Sequence, residues 1–484
     1  MKSKFAIILC FILLLTSVYF VLTQNNGPTG YAVGIAEPQP PMPTAFHDEE
    51  LPDSFDDKIK WVERPDLDPM GVQNYLLNKK EYSIEHLEIF EYKNFEPQIT
   101  LYACRAKVSE NKKEKTDSIN FKELSYYSQI LQKDPNASIY ASIQDAIDAG
   151  EASPRDFVKI IICPDTYHED LTIQSTKNYL LDGLGAGPII EGSGNGYSAF
   201  RVQDKCPNDD NNYCFGTVEL NNIHFRHPTT PTSKPTVAIY VEYNNWCEFG
   251  TCHVDRLKLI YKNGHISGFS SGISLAGGID LVVDQATIFD NNGAINLKVD
   301  AMEIQLAGTG EYNIEDYIWS PVAVIKNSNI YNHAITGIYA NNSIIHMDNV
   351  EMYDNSNMAT FWLEYGSIGS IKNSLFRNNT TSFVIKLDNY TNLDIDNTTI
   401  RDNASSWKGT SLAGGHTVSI VNSHVQNNTA AQGTGGAWVS NSTDFTSQST
   451  CWNGNTLGDV YHNDTQLDYI FGCNTFVCDA SGCY

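Results

Sequence analysis

From Val218 to Trp452 one short pattern of apolar and polar positions keeps returning. Each copy has an apolar residue, any residue, a turn residue, two mixed residues, an apolar residue, then an Asn/Asp pair. The clearest copies are Ile325-Lys326-Asn327…Ile330, Met347-Asp348-Asn349…Met352, Ile371-Lys372-Asn373…Phe376, Ile395-Asp396-Asn397…Ile400 and Ile420-Val421-Asn422…Val425. Their turn asparagines lie 22, 24, 24 and 25 residues apart. Weaker copies sit at Leu220/Asn222/Phe225, Tyr261/Asn263/Ile266, Val283/Gln285/Ile288 and Phe445/Ser447. Two wide steps, of 41 and 42 residues, hold long loops or degenerate copies. A period of this length with apolar spacing of two inside each copy predicts a solenoid of stacked β-coils.

The residue choices follow from the physics of one coil. Strands this short cannot bury an apolar face alone, but stacked in register they share one core. Asparagine tolerates the left-handed backbone of a tight bend, and its repetition places side-chain amides one above another, able to hydrogen-bond up the stack. Ile, Val, Thr, Asn and Gly dominate the repeats, which excludes a helical solenoid. No leucine framework marks a leucine-rich repeat. From about Ser138 to the mid-450s the chain resembles the right-handed parallel β-helices of the pectin-lyase-like superfamily. The resemblance implies an all-β fold and leaves function open, because that fold carries lyases, hydrolases, esterases, epimerases, adhesins and phage spikes.

Both ends carry cap signals. Ile139–Ile147 has apolar residues at helical spacing with Ser142 able to cap, and the strand Val158–Ile162 follows. The block Asp165–Ile173, with Tyr167 and Glu169, resembles the opening coil of many pectin-lyase-like proteins, pectin methylesterases included. Tyr167 and Glu169 are expected to shape the first turn. Asp468-Tyr469-Ile470-Phe471-Gly472 resembles an esterase block but lies too far downstream to join them. The predicted organisation is a signal peptide or signal anchor (1–26), a Pro-rich linker (27–57), a small N-terminal appendage (58–137), the β-helix (138–450) and a Cys-rich C-terminal cap (451–484). Lys2 and Lys4 ahead of the apolar run Phe5–Leu22 carry the targeting reading. Cleavage and retention both stay open, so the protein is expected to be secreted or held at the cell surface, touching the membrane only through this segment.

Charge narrows the partners. The 484 residues include 57 acidic and 32 basic side chains, a formal net charge of −25. Nucleic acid is excluded, and a polyanionic sugar would be repelled unless a cation such as Ca²⁺ bridged it. Neutral glycans meet no such barrier. Without Cys10, ten cysteines remain, an even number in an exported chain, and disulfides are the default. Cys206/Cys214, Cys247/Cys252 and Cys478/Cys483 are near neighbours in sequence, leaving Cys451, Cys473, Cys104 and Cys163; sequence does not settle the connectivity. Asn-x-Ser/Thr sequons recur, among them Asn341, Asn378, Asn389, Asn397 and Asn441. They permit glycosylation without establishing it.

Strand parity locates the candidate chemistry. If Phe361/Leu363, Phe383/Ile385/Leu387 and Ile295/Leu297/Val299 point inward, then Asn296, Lys298, Asp300, Trp362, Glu364, Lys386 and Asp388 point outward. Tyr339 and Asn341 fall on the same face, and Ser411 and Trp438 extend it. In β-helix lyases and polygalacturonases this face forms the sugar cleft, so the resemblance assigns glycan contact to Trp362, Tyr339, Lys298, Asp300 and Trp438. Glu364, Asp388 and Lys386 are the candidate catalytic groups, with Glu364 and Asp388 a candidate Ca²⁺ site. A solvated face with cross-strand ion pairs is the plainer alternative. A second outward column, Phe289, Tyr331, Tyr353, Arg377 and Arg401, is either another glycan platform or a packed surface. No nucleophile elbow, phosphate loop or His-Glu-x-x-His sequence appears. Three functions therefore remain: a glycan-binding β-helix without turnover, a polysaccharide lyase or glycoside hydrolase, and a structural surface spacer or adhesin.

Overall fold

The computed structural model describes residues 98–105 and 121–483, except 204–215, 228–235, 299–320 and internal stretches of four residues or fewer. The chain divides into Met1–Arg64 and Pro65–Tyr484. The first unit, with the apolar run Phe5–Leu22 and the Pro-rich linker, lies outside the described residues. Among the described residues no helix is long and apolar enough to cross a membrane.

One coil shows how the repeat folds. Ile368–Lys372 is a strand, Asn373 a bend, Leu375–Arg377 a second strand, Asn378 a second bend, and Thr380–Leu387 a third strand. Among the described residues the first two strand types stack in parallel within one 25-stranded sheet, and the third type builds a 14-stranded sheet. Three walls thus enclose a single core. Its register column Tyr167, Ile190, Phe225, Ile266, Ile288, Ile330, Met352, Phe376, Ile400, Val425 and Trp452 runs unbroken through the stack. This is the all-β parallel β-helix that the repeats predict.

The bends are where sequence chose the conformation. Asn222, Asn263, Gln285, Asn327, Asn349, Asn373, Asn397 and Asn422 have φ between 46° and 55°, the left-handed region that asparagine tolerates. The last bend is Ser449 (φ 50°), not Ser447. Ser447 instead takes the inward place of Ile420 and accepts a hydrogen bond from the Trp452 indole. The two wide steps are single coils with insertions, since Leu220 pairs directly with Tyr261 and Val283 with Ile325.

The bend amides do link the coils, with a rule set by the residue ahead of each bend. Asn349 donates to Asn327 Oδ1 (2.9 Å) and Asn397 to Asn373 Oδ1 (2.7 Å). Asn327, Asn373 and Asn422 turn instead to Asp284, Asp348 and Asp396, at 2.9, 2.7 and 3.1 Å. The pre-bend column reads Asp284, Lys326, Asp348, Lys372, Asp396. From Asn327 to Asn422, where the preceding coil offers a carboxylate, the stronger acceptor captures the amide; where it offers a lysine, the amide takes the neighbouring asparagine. At Asn222 the side chain of Asn221 occupies Asp182, and the bend amide turns to the Gly183 and Gly185 carbonyls.

The Asn/Asp pair after each short strand splits its work. Its first member (Asp354, Asn378, Asp402, Asn427) bends the chain at φ 54–57°. The second turns inside. Asn355, Asn379, Asn403, Asn428 and Asn455 form a buried ladder, each amide donating to the next Oδ1 at 2.9–3.0 Å. Each also donates to a core-strand carbonyl, so both N–H groups are used. His333 stands at the head of this ladder, fully buried.

Both ends are closed. The helix Ile143–Ala152 is capped by Ser142, and Glu169 accepts from the Ser142 hydroxyl and the Ile143 and Gln144 N–H groups (2.9, 3.0 and 3.1 Å). Tyr167 is buried, its hydroxyl donating to the Ala103 and Cys163 carbonyls. The Gln144 side chain bonds both backbone groups of Thr172, masking the first strand of the smaller sheet. Within the expected appendage, Ile99–Ala103 pairs in parallel with Phe157–Ile162, and Cys104 is bonded to Cys163. The solenoid's sheet therefore starts ahead of Ser138. At the far end Gly472–Asp479 lies antiparallel on Asp444–Asn453, fastened by Cys451–Cys473, and Cys478 is disulfide-bonded opposite Cys483. Cys247 faces Cys252 in a two-stranded hairpin, while Cys206, Cys214 and residues 468–471 lie outside the described residues.

Candidate functional site

The outer face of the smaller sheet places one side chain per coil in a single column. Register aligns Asn296, Tyr339, Trp362, Lys386, Ala413, Trp438 and Tyr461. The position between Lys386 and Trp438 belongs to Ala413 rather than Ser411, which lies outside the described residues. Tyr461 extends the column one period beyond Trp438, a place the repeat spacing alone marks. Arg201 and Tyr240 extend its other end, where the guanidinium lies 5.9 Å from the ring centroid. Asp300 and the side chain of Lys298 lie outside the description.

Parity holds along the strand except at its corner. Phe361, Leu363, Ile385 and Leu387 are buried, as expected. Phe383 is only half-buried and lies 6.3 Å from the exposed Trp407 ring, while Val384 beside it is fully buried. Val384 and Ile385 are therefore both buried, and the expected alternation holds again from Ile385 onward. Val299 falls outside the described residues.

At the column's centre the side chains are tied to one another. Tyr339 and Trp362 meet edge to face with centroids 5.1 Å apart. The Lys386 ammonium lies 3.7 Å from the centroid of the Trp362 ring and 2.9 Å from Asp388 Oδ2. Asp388 Oδ2 also accepts from the Trp362 indole N–H (2.7 Å). Glu364 accepts from the Tyr339 hydroxyl and lies 3.5 Å from the Asn341 amide. Register sets Leu363 opposite Leu387 and so makes Glu364 and Asp388 neighbours, the Asp388 N–H bonding Leu363 O at 2.9 Å, yet each carboxylate serves different donors. Among the described residues no cluster of three or more His, Cys, Asp or Glu side chains is arranged to hold a metal ion. Both register neighbours lean on the Trp362 ring, so it is not the open platform that outward parity alone implied. A sugar that stacks on it must take the place of Lys386. Cation–π contact and a half-exposed ion pair are each worth about 1 kcal/mol or less, and the lysine stem is flexible, so that exchange is cheap.

A profile described as right handed beta helix region matches residues 304–476. The chain carries a right-handed β-helix region. No protein of curated function matches the sequence. Among solved structures, the mannuronan C-5 epimerase A-module of Azotobacter vinelandii is similar at 14% identity and a TM-score of 0.36, over 68% of this chain and 93% of that one. A surface adhesin of Streptococcus pneumoniae is similar at 10% identity and a TM-score of 0.32, over 71% and 94%. Likenesses this distant carry no argument about the site, which rests on the strands of the β-helix itself.

Proposed function

We propose that this β-helix is an exported glycan-binding protein whose outer face, around Tyr339, Trp362 and Lys386, holds a neutral saccharide without turning it over. The observation that carries the reading is the Tyr339–Trp362–Lys386–Asp388 cluster. It offers aromatic surface, hydroxyl, amide and carboxylate groups on consecutive coils, the mix that sugar rings and their hydroxyls require. Binding is favoured over turnover because the two carboxylates are engaged apart from each other, Glu364 by Tyr339 and Asp388 by Trp362 and Lys386. An acid/base pair needs both to converge on one bond. The disulfides Cys104–Cys163 and Cys451–Cys473 support an oxidising compartment, hence a secreted or surface-held protein.

A glycan array followed by calorimetry, with reducing-sugar release and ultraviolet absorbance of unsaturated uronates as turnover assays, tests this. Trp362→Ala is expected to weaken binding about tenfold or more with an unchanged melting temperature. Lys386→Ala is expected to keep or improve binding by freeing the ring. Turnover that Lys386→Ala abolishes would make the protein a lyase instead, and an array with no binder would leave it a spacer.

A further inference from the structure

On the wall built by the short strands, away from that cluster, a groove of about 370 Å³ runs across three coils. One side is formed by the bend asparagines Asn327, Asn349 and Asn373, the other by the register column Asn329, Glu351, Leu375. Its volume falls within the ~300–1,000 Å³ of small-ligand sites, but its lining is rich in carboxamides rather than apolar. The three bend asparagines are exposed, and each carboxamide spends one N–H on the coil-to-coil links, while its chemistry supplies two. Glu351, the single charged residue of the lining, is paired with Arg377 Nε at 2.5 Å.

The next outward column borders the groove. Phe289 and Tyr331 stack at 5.2 Å and 10°, and Tyr331 and Tyr353 at 4.6 Å and 11°. Arg377 closes the end of the stack, 4.3 Å from the Tyr353 centroid. The tyrosine faces are thus spent on one another, and what this column offers a ligand is edges and hydroxyls. Burial first, and neighbouring acidic groups after it, push the Tyr353 hydroxyl up to about 12 and raise that of Tyr331, so both remain donors at neutral pH.

We infer that this groove is a second ligand site, built for an extended neutral oligosaccharide lying along the solenoid axis. It rests on the reading that the protein binds glycans, and it puts the contact on a different wall. Spacing chooses the ligand class. A 1,4-linked pyranose unit spans roughly 5 Å, close to the ~4.8 Å between coils, so successive sugars meet successive carboxamides; an extended peptide repeats every ~6.6–6.8 Å and falls out of step. The compensated Glu351 gives a charged sugar nothing to pair with. Hydroxyl-rich ligands match carboxamides that both donate and accept.

The test uses the full chain and neutral oligosaccharides taken from the glycan array, titrated calorimetrically. Leu375→Trp fills the groove from its half-buried wall. Asn349→Gly removes a carboxamide while tolerating the φ of 52° at that bend. Both are expected to weaken one set of binders about tenfold or more with unchanged circular dichroism, and Trp362→Ala is expected to leave that set untouched. If every binder is lost on Trp362→Ala and none on the groove variants, the groove is not a site and the first reading stands. If only the groove variants abolish binding, the groove stands and the outer-face site falls. A protein that binds no neutral glycan ends both.

Discussion

Replacing Asn379 and Asn373 separately by alanine tests how the coils are held, because the two asparagines do opposite work six residues apart, one in the core and one at an outer bend. Asn379 is fully buried. Its Oδ1 accepts from the Asn355 backbone N–H (3.1 Å) and carboxamide (2.9 Å), and its own amide donates to Asn403 Oδ1 (2.9 Å) and to the Met352 carbonyl (3.1 Å). Asn379→Ala strips partners from three buried groups: the Asn355 N–H, the Asn355 carboxamide and the Met352 carbonyl. At ~1–3 kcal/mol for each orphaned group, the loss is about 3–9 kcal/mol, less whatever water enters. Asn373 is exposed, makes one amide bond to Asp348 (2.7 Å) and accepts one from Asn397 (2.7 Å). Asn373→Ala forfeits these in solvent and places a Cβ residue at φ 49°, about 1–2 kcal/mol together. Asn373→Gly, which keeps the backbone choice open, recovers part of that. Urea unfolding followed by circular dichroism gives the order wild type, Asn373→Gly, Asn373→Ala, Asn379→Ala. Equal midpoints for the two alanine variants would refute the division into an outer bend ladder and an inner structural one.

Two further perturbations follow. His333 heads the inner ladder with its ring nitrogens 3.2 and 3.1 Å from the Asn291 and Ile288 carbonyls; burial outweighs these carbonyls and Asp290, and lowers its pKa to about 4. The unfolded imidazole titrates near 6.5, so the unfolded chain binds the extra proton. Stability is full above about pH 6.5 and falls on acidification toward pH 4, by ~1.4 kcal/mol per unit and about 3 kcal/mol in all. His333→Asn is expected to remove that component, read as the difference between the two proteins' urea midpoints at pH 7 and pH 5; an identical acid dependence contradicts it. Glu169→Ala deprives the Ile143 and Gln144 N–H groups of their shared acceptor, at a cost of about 1–2 kcal/mol. Faster amide exchange confined to the helix Ile143–Ala152 is the expected sign, and unchanged exchange there would show that Ser142 caps alone.

Period and parity made the walls and the bends readable, since an apolar column and a left-handed asparagine each follow from one residue's own chemistry. What they missed depends on neighbours. In Asp354-Asn355 and its repeats both residues are polar, and only the stacking of coils decides that the second turns inward. The last bend falls at Ser449 and not at Ser447, because Ser447 fills an apolar position with a polar side chain that Trp452 satisfies. Phe383 broke the alternation at a corner that no spacing announces. At the site, Tyr339, Trp362 and Lys386 were assigned to one face from alternation alone. That Lys386 lies over Trp362 and that Asp388 holds both could not be read, because such contacts come from rotamers chosen across coils.

The central claim is that a glycan lies against the outer face of the smaller sheet. The measurement that meets it most directly is a crystal structure of the full chain with the neutral binder from the array that Trp362→Ala weakens most. The account predicts a sugar ring against Trp362, with Lys386 displaced from its 3.7 Å position over the indole and a hydroxyl bonded to Asp388 or Glu364. A ligand seated elsewhere while Tyr339, Trp362 and Lys386 keep their contacts would contradict it.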